Sequence, residues 1–431
     1  MDACFYAERL IGLVNVNVYH PFHGRLSIYR GGAQFSCPMH GLTKERKLQS
    51  EIYSFHTAQY NIPDASLPGR VGAEQVKQAV RTAAESKLRD IPLRLFNTRD
   101  GKIYTNKALI TKFMESDQCL SLLTLTTTLD QIMIQFINEV VRRFFAYAML
   151  SHRWEDDELA FKDVKEQSVY DLPAARFHKV HSFCHQAGEC GLEWAWVDTC
   201  CIDQTSSAEV QRTISSMFSW YRGSALTIIY LSDVMESSVA ALLDSQWFKR
   251  GWTLQELLAA KVIRIYKKNW SPFIRGAVFN HKDIAEILDA LETATGIEQC
   301  YLKSYSPSVE RPRMKLTWAR NRKTKETEDE AYCLMGIFGI TMTVTYGEGD
   351  YAFARLLKEI MRRTGDATLL DWVGQRSSMN SYLPSSPRCF SDGPLCIEKS
   401  NMVFADPVWS LSLVAKIMLV FKKGPRRAKR K

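Results

Sequence analysis

Four short apolar runs, Phe144 to Ser151, Trp194 to Thr199, Ala225 to Ser232 and Val262 to Lys267, recur along the middle of the chain, each too short to be a helix of its own. Helical patterns separate them. One covers Ala174 to Ala187, and another Glu209 to Tyr221, with Val210, Ile214, Met217, Phe218 and Tyr221 at helical spacing. Strands joined by helix-length connections cannot be hairpin neighbours, which need only a few residues. The pattern therefore predicts crossover units and a parallel sheet covered on both faces. The sheet region opens at Pro92 with a strand, LRLFNT, a DGK turn, and an amphipathic stretch from Leu129 to Phe144 carrying Ile132, Phe136, Val140 and Val141. Helices at Asp283 to Ala294, Thr327 to Phe338 and Tyr351 to Arg363 form a block after the sheet, over about 283 to 373.

Ligand sites of open parallel sheets lie outside the carboxyl ends of the strands. That rule selects Ser151, His152, Arg153 and Trp154 after the first run, Asp198 to Gln204 (including Asp203) after the second, and Ser232 and Asp233 after the third. In the connection that follows lies WFKRGWTLQELLAA, from Trp247 to Ala260. It offers two stacking faces, Trp247 and Trp252, two cations, Lys249 and Arg250, and one carboxylate, Glu256. Thr253-Leu254-Gln255-Glu256 also fits the Ser/Thr-x-x-Glu capping box, which gives Glu256 a purely structural alternative. Trp154 and Trp247 have core packing as their alternative, and Asp198 and Asp203 a turn or cap role.

The net charge of +9 would suggest nucleic acid, except that seven of the Lys and Arg residues lie in the last ten positions, KKGPRRAKRK, leaving +2 for the rest. No nucleic-acid partner is expected of the core. The basic tail reads as a solvated end, or as a nuclear or membrane-surface contact. The apolar run before it, Val408 to Phe421, is too short to span a bilayer, and no run of eighteen apolar residues occurs elsewhere. Asp2 and Glu8 stand where a signal peptide needs a basic start and an unbroken apolar run. Eleven cysteines without a Cys-x-x-Cys pair read as reduced thiols, and the cytoplasm is the expected location. Cys200-Cys201 is expected to pack without redox chemistry, since neighbours on an extended segment point apart. His178, His181 and His185 share a helical face, but no second ligand cluster follows, so no metal site is expected. No phosphate loop is present, since neither Gly31-Gly32 nor Gly69-x-x-Gly72 is followed by Gly-Lys-Ser/Thr.

Read together, AYAMLSHRWEDDE, WAWVDTCCIDQ, ALTIIYLSD, RGWTLQELLAAK, EDEAYCLMGIFGI and TYGEG resemble the fungal heterokaryon-incompatibility (HET) domain, in that family's order and spacing, over about 92 to 373. The resemblance divides the chain into an N-terminal extension, 1 to 91, a HET domain with its sheet core at about 92 to 282, and a loose tail from 374 to 431. It implies a role in cell death triggered by non-self recognition, with self-association and an upstream sensor as partners. A fainter resemblance runs to TIR domains, some of which cleave NAD at the nicotinamide bond. It implies a TIR-like, flavodoxin-like parallel sheet flanked by helices, no required cofactor, and NAD as substrate. Trp252-Thr253-Leu254-Gln255-Glu256-Leu257 matches the plant TIR segment Trp-Cys-Leu-x-Glu-Leu, with threonine in place of cysteine. The resemblance thus makes Glu256 the catalytic carboxylate.

The chemistry asks for the same residue types. Breaking an N-glycosidic bond builds positive charge on the ribose, which a carboxylate stabilises, and the leaving pyridine, already cationic, needs little acid help. Trp252 or Trp154 is then the expected wall, Arg153 with Lys249 or Arg250 the diphosphate contact, and Asp198 or Asp203 an orienting group, with Ser151 and His152 at the strand end. A non-enzymatic module acting by self-assembly and recruitment is the alternative.

Overall fold

The computed structural model describes residues 25–30, 33–38, 72–128, 134–276, 278–379 and 381–390. Leu13 to Tyr19, which reads as strand-like from its sequence, the apolar run before the tail and the basic tail itself lie outside the described residues. Two compact units are present, one of residues 1–87 and 110–144, the other of 88–109 and 145–431.

In the first unit, β1 (Arg25–Arg30) and β2 (Ala33–Pro38) pair antiparallel. Helix α1 (Ala73–Arg89) buries Val76, Val80 and Ala84, whose spacing of four keeps the stripe on one face; sequence spacing alone would put Ala83 in that stripe with Val76 and Val80, but it is half-buried. Helices α2 (Asp117–Thr128) and α3 (Ile134–Phe144) follow. Ile137 and Val141 are the buried residues of α3, whereas Phe136 and Val140 are half-buried.

The second unit is built on a six-stranded sheet of β3 (Arg94–Asn97), β4 (Ile103–Thr105), β5 (Tyr147–His152), β6 (Trp194–Trp196), β7 (Leu226–Leu231) and β8 (Ile263–Lys267), in the order β4-β3-β6-β5-β7-β8. Strands β5 to β8 run parallel, while β3 is antiparallel to both β6 and β4. The sheet is therefore mixed, which corrects the all-parallel expectation. Only residues 98–102 separate β3 from β4, too few for a crossover. Asn97 Oδ1 accepts the amides of Arg99 and Asp100 there, and the turn closes through Gly101 at a φ of 67°. Every residue of β5, β6 and β7 is buried, as strands covered on both faces require, whereas Arg264 and Lys267 of β8 are half-buried.

The helices of this unit include α4 (Ala174–Glu189), the short turn α5 (Asp198–Cys201), α6 (Ser207–Gly223), α7 (Thr253–Ala259), α8 (Ala285–Thr295), α9 (Asp329–Phe338) and α10 (Tyr351–Thr364). The second apolar run leaves the sheet early: Thr199 belongs to α5, and Cys200 and Cys201 are buried on a helical turn rather than splayed along a strand. Among the described residues no helix is long and apolar enough to cross a membrane.

Candidate functional site

The chain passes from β5 outward to β6 and then returns to β7 on the other side of β5, so the crevice at the carboxyl end of β5 is where connections diverge. Ser151 and His152 end β5, Asp198 opens α5 after β6, and α7 sits in the connection between β7 and β8. All seven residues of α7 are buried, Glu256 among them at 3% exposure.

Thr253 does not cap α7. It is the first helical residue, and its hydroxyl donates to the carbonyls of Trp247 (2.7 Å) and Arg250 (2.9 Å). The capping box offered by Thr253 and Glu256 is thus absent, because Thr253 lies inside the helix, its hydrogen goes to those carbonyls and its oxygen accepts Arg322 instead of a helix amide. Thr327 to Glu330, whose sequence fits the same Ser/Thr-x-x-Glu pattern, forms no capping box either, since α9 begins at Asp329 without a side-chain cap.

With no capping task, Glu256 reaches across the sheet end and accepts the hydroxyl of Ser151. Trp247 Nε1 donates to that same Ser151 oxygen at 3.0 Å. An indole N–H is only a donor, so the serine hydrogen is left for the carboxylate. Burial pushes Glu256 up to about 7, with nearby Asp198 adding to the effect and Arg250, Ser151 and Arg322 opposing it. Arg250 donates to the His152 carbonyl at 2.6 Å, lies 3.7 Å from Asp198, and stacks 4.7 Å from the Trp154 ring centroid. Trp154 Nε1 donates to Asp198 at 2.8 Å. Buried Arg322 donates to the Arg250 carbonyl (3.0 Å) and the Thr253 hydroxyl (2.9 Å), which ties the start of α7 to the later helical block.

A cavity of about 80 Å³ opens at this point, with Trp154, Asp198, Arg250, Trp252, Glu256, Asp329 and Tyr346 in its lining. Asp329 and Tyr346 come from far along the chain. Asp329 opens α9 and accepts Trp252 Nε1 at 3.0 Å on one oxygen and the Tyr346 hydroxyl at 2.9 Å on the other. The Tyr346 loop is held by Glu328, which accepts the amides of Gly347 (2.6 Å) and Gly349 (2.8 Å). Both glycines have positive φ, 95° and 60°, the backbone that lets two nearby amides converge on one carboxylate.

Of the residues singled out from sequence, Ser151, Trp154, Asp198, Arg250, Trp252 and Glu256 are brought together. Three are not. Arg153 is exposed and does not line the cavity, because it lies one position away from Trp154, whose ring takes the inward course. Lys249 is exposed, and its carbonyl pairs with the Lys323 amide at 2.6 Å. Asp203 folds back on Thr205, accepting its amide and hydroxyl, the turn role foreseen as its alternative. His152 is buried beneath the site, with Nε2 3.5 Å from Glu158 and Nδ1 3.9 Å from Asp198. Trp247 belongs to the core yet holds Ser151. Asp329, Tyr346 and Arg322 were missed, although EDEAYC and TYGEG had already been marked as motif blocks. Among the described residues no group of three His, Cys, Asp or Glu side chains is placed to hold a metal; His181 packs edge-on to Tyr170 and His178 to Trp270.

This geometry defines an α/β domain whose strand ends converge on a buried acid beside an aromatic cavity. Residues 147–241 match the family model described as heterokaryon incompatibility protein (HET). The chain is also 32% identical over 231 residues to vegetative incompatibility protein HET-E-1 of Podospora anserina, a match covering 51% of this chain and 16% of the relative. The match to the heterokaryon-incompatibility family thus falls on the strands β5 to β7 and their connections, in a chain that spans 16% of that relative's length. No solved structure matches it. Glu256, Asp329 and Tyr346 lie beyond the end of the family match.

Proposed function

We propose that this protein acts in heterokaryon incompatibility, triggering cell death, and that its site hydrolyses NAD at the nicotinamide–ribose bond as TIR-like enzymes do. The observation that carries the reading is the buried Glu256 carboxylate, set by Ser151 at the strand ends and facing a cavity walled by Trp154, Trp252 and Tyr346. The parallel strand order β6-β5-β7-β8 supports a flavodoxin-like core, since counted along the chain it reads 2-1-3-4. As the bond between the ribose C1′ and the pyridinium nitrogen breaks, its electron pair neutralises the leaving nicotinamide. Positive charge appears on the ribose, where ionised Glu256 stabilises it until water adds and loses a proton. Cavity size makes the nicotinamide end the part that enters, since about 80 Å³ is far below the roughly 300–1,000 Å³ of sites that enclose whole drug-sized ligands.

The same small volume favours the second reading, a non-enzymatic module that works by self-association and recruitment. In both readings the protein self-associates, answers an upstream sensor, and works in a reducing compartment, to which the free thiols of the described cysteines are suited. Glu256→Gln separates the two. Purified parent protein should consume NAD, and the variant should lose roughly two to three orders of magnitude in rate. Expression of the parent should be toxic and that of the variant should not. If the Gln variant kills as efficiently as the parent, or the parent leaves NAD intact, cleavage is excluded as the mechanism and recruitment stands.

A further inference from the structure

Charge inside the cavity is one-sided. Glu256, Asp198 and Asp329 line it against a single cation, Arg250. That guanidinium is already committed, to the His152 carbonyl, to Asp198 and to the face of Trp154. The other two cations that could have met a phosphate, Arg153 and Lys249, are exposed and do not line the cavity. Acidic groups with aromatic walls are the recognition chemistry of an organic cation, which gains from ring faces and carboxylates together and sheds water more readily than an ammonium ion.

Asp329 is what makes the walls a cage. Its two oxygens each take one donor, Trp252 Nε1 and the Tyr346 hydroxyl, so one carboxylate from α9 orients two rings from separate segments. Tyr332 braces Tyr346 from behind, edge to face at 5.7 Å between centroids. Trp154, 40% exposed, and Tyr346, 46% exposed, stand at the mouth, where a flat ring could enter between them. Arg250 over Trp154 shows that a planar cation already finds a stacking partner in this lining.

We propose that the cavity is a cation-selecting aromatic cage, organised by Asp329, that takes a flat and permanently charged pyridinium ring and leaves any phosphate outside. The inference rests on the proposed function for the identity of the natural ligand, and it deepens that reading: the N-ribosylpyridinium is the recognised unit, its neutral dihydropyridine counterpart is rejected, and the diphosphate contributes little.

The test uses probes without a ribose bond, so that binding is read apart from catalysis. Full-length protein is titrated by ligand-observed NMR with 1-methylnicotinamide, a fixed cation, and with nicotinamide, its neutral analogue. The cation should bind about tenfold tighter or more, and Tyr346→Ala, a change at an exposed position, should weaken the cation several-fold while moving nicotinamide little. Asp329→Asn leaves one of the two ring donors without an acceptor and removes a charge, so it should collapse the preference for the cation. Equal binding of the two probes overturns the proposal, as does a preference that survives both variants. Nicotinamide riboside should displace 1-methylnicotinamide within about threefold as well as NAD does, and an advantage for NAD of tenfold or more would place the phosphates in the site and refute that part. A trimethyllysine peptide that outbinds 1-methylnicotinamide would refute the flat-ring assignment. The two readings fail separately: cation binding with no NAD hydrolysis would remove the catalysis alone, whereas hydrolysis without cation preference would remove the cage alone.

Discussion

Glu256→Gln also measures what burying this carboxylate does to the fold, apart from any chemistry. Burial holds Glu256 at about 7 against 4.5 for an unperturbed glutamate. Because the folded value is the higher one, the native state holds the proton more tightly than the unfolded chain. The stabilising contribution is then complete below pH 4.5, declines as pH rises, and is gone above about pH 7. The difference between those values corresponds to about 3 kcal/mol, at roughly 1.4 kcal/mol per pH unit. Glutamine carries no charge at any pH, and its amide oxygen still accepts the Ser151 hydroxyl. The variant should therefore differ from the parent by less than about 1 kcal/mol at pH 5 and be about 3 kcal/mol more stable at pH 8, an increase of roughly 3–5 °C in melting temperature for a chain of this size. Calorimetric scans of both proteins at both pH values provide the measurement. His281 acts in the opposite sense: burial pushes it down to about 4, and its Nδ1 accepts the Ile265 amide, so its protonation costs stability as pH falls below 6.5. Comparing parent and variant at the same pH cancels that contribution. A variant no more stable than the parent at pH 8, or one displaced equally at both pH values, would refute the argument that Arg250, Ser151 and Arg322 only partly offset the burial of this charge.

Ser151→Ala removes the donor to Glu256 and leaves the Trp247 indole N–H buried without an acceptor, which should lower stability by about 1–3 kcal/mol and raise the pH at which Glu256 ionises; thermal melts and the pH profile of parent against variant read both effects. Gly336→Ala should be among the most damaging single changes, since an added Cβ collides with the Phe218 Cβ and comes within 2.8 Å of its Cγ, where α9 rests on α6; a loss of about 3 kcal/mol or more, or no soluble protein, is expected on expression and urea unfolding. Alkylation of the native protein followed by peptide mapping should label Cys300, which is exposed, well before Cys184, Cys200 and Cys333, whose thiols burial pushes far up; equal labelling would contradict the packing of this unit.

Local physics made the framework legible from sequence. A run of apolar residues such as LTIIYL is buried on both faces wherever the chain places it, so β5, β7 and β8 could be named within three residues of their ends. The rule that ligands gather at the carboxyl ends of such strands then singled out Ser151, Trp154 and Asp198 with no knowledge of their contacts. Where two partners competed for one side chain, sequence could not say which would win. Thr253 had a local amide to accept from, but in the fold its oxygen accepts Arg322 and its hydrogen goes to the Trp247 and Arg250 carbonyls, so no capping box forms and Glu256 is available to Ser151. Direction was equally hidden at the end of β5: Arg153 and Trp154 are neighbours, and only the course of the loop decides which side chain faces the cavity. Strand sense was not legible in this way: LRLFNT and its DGK turn read as a strand and a turn, but that β3 runs against β6 as well as β4 was decided by the fold. Asp329 and Tyr346 belonged wholly to the tertiary structure. Each stands more than seventy residues beyond Trp252 along the chain, and no periodicity relates them to it; they meet because α9 and the Tyr346 loop pack against the start of α7, where one carboxylate can satisfy two partly buried ring donors at once.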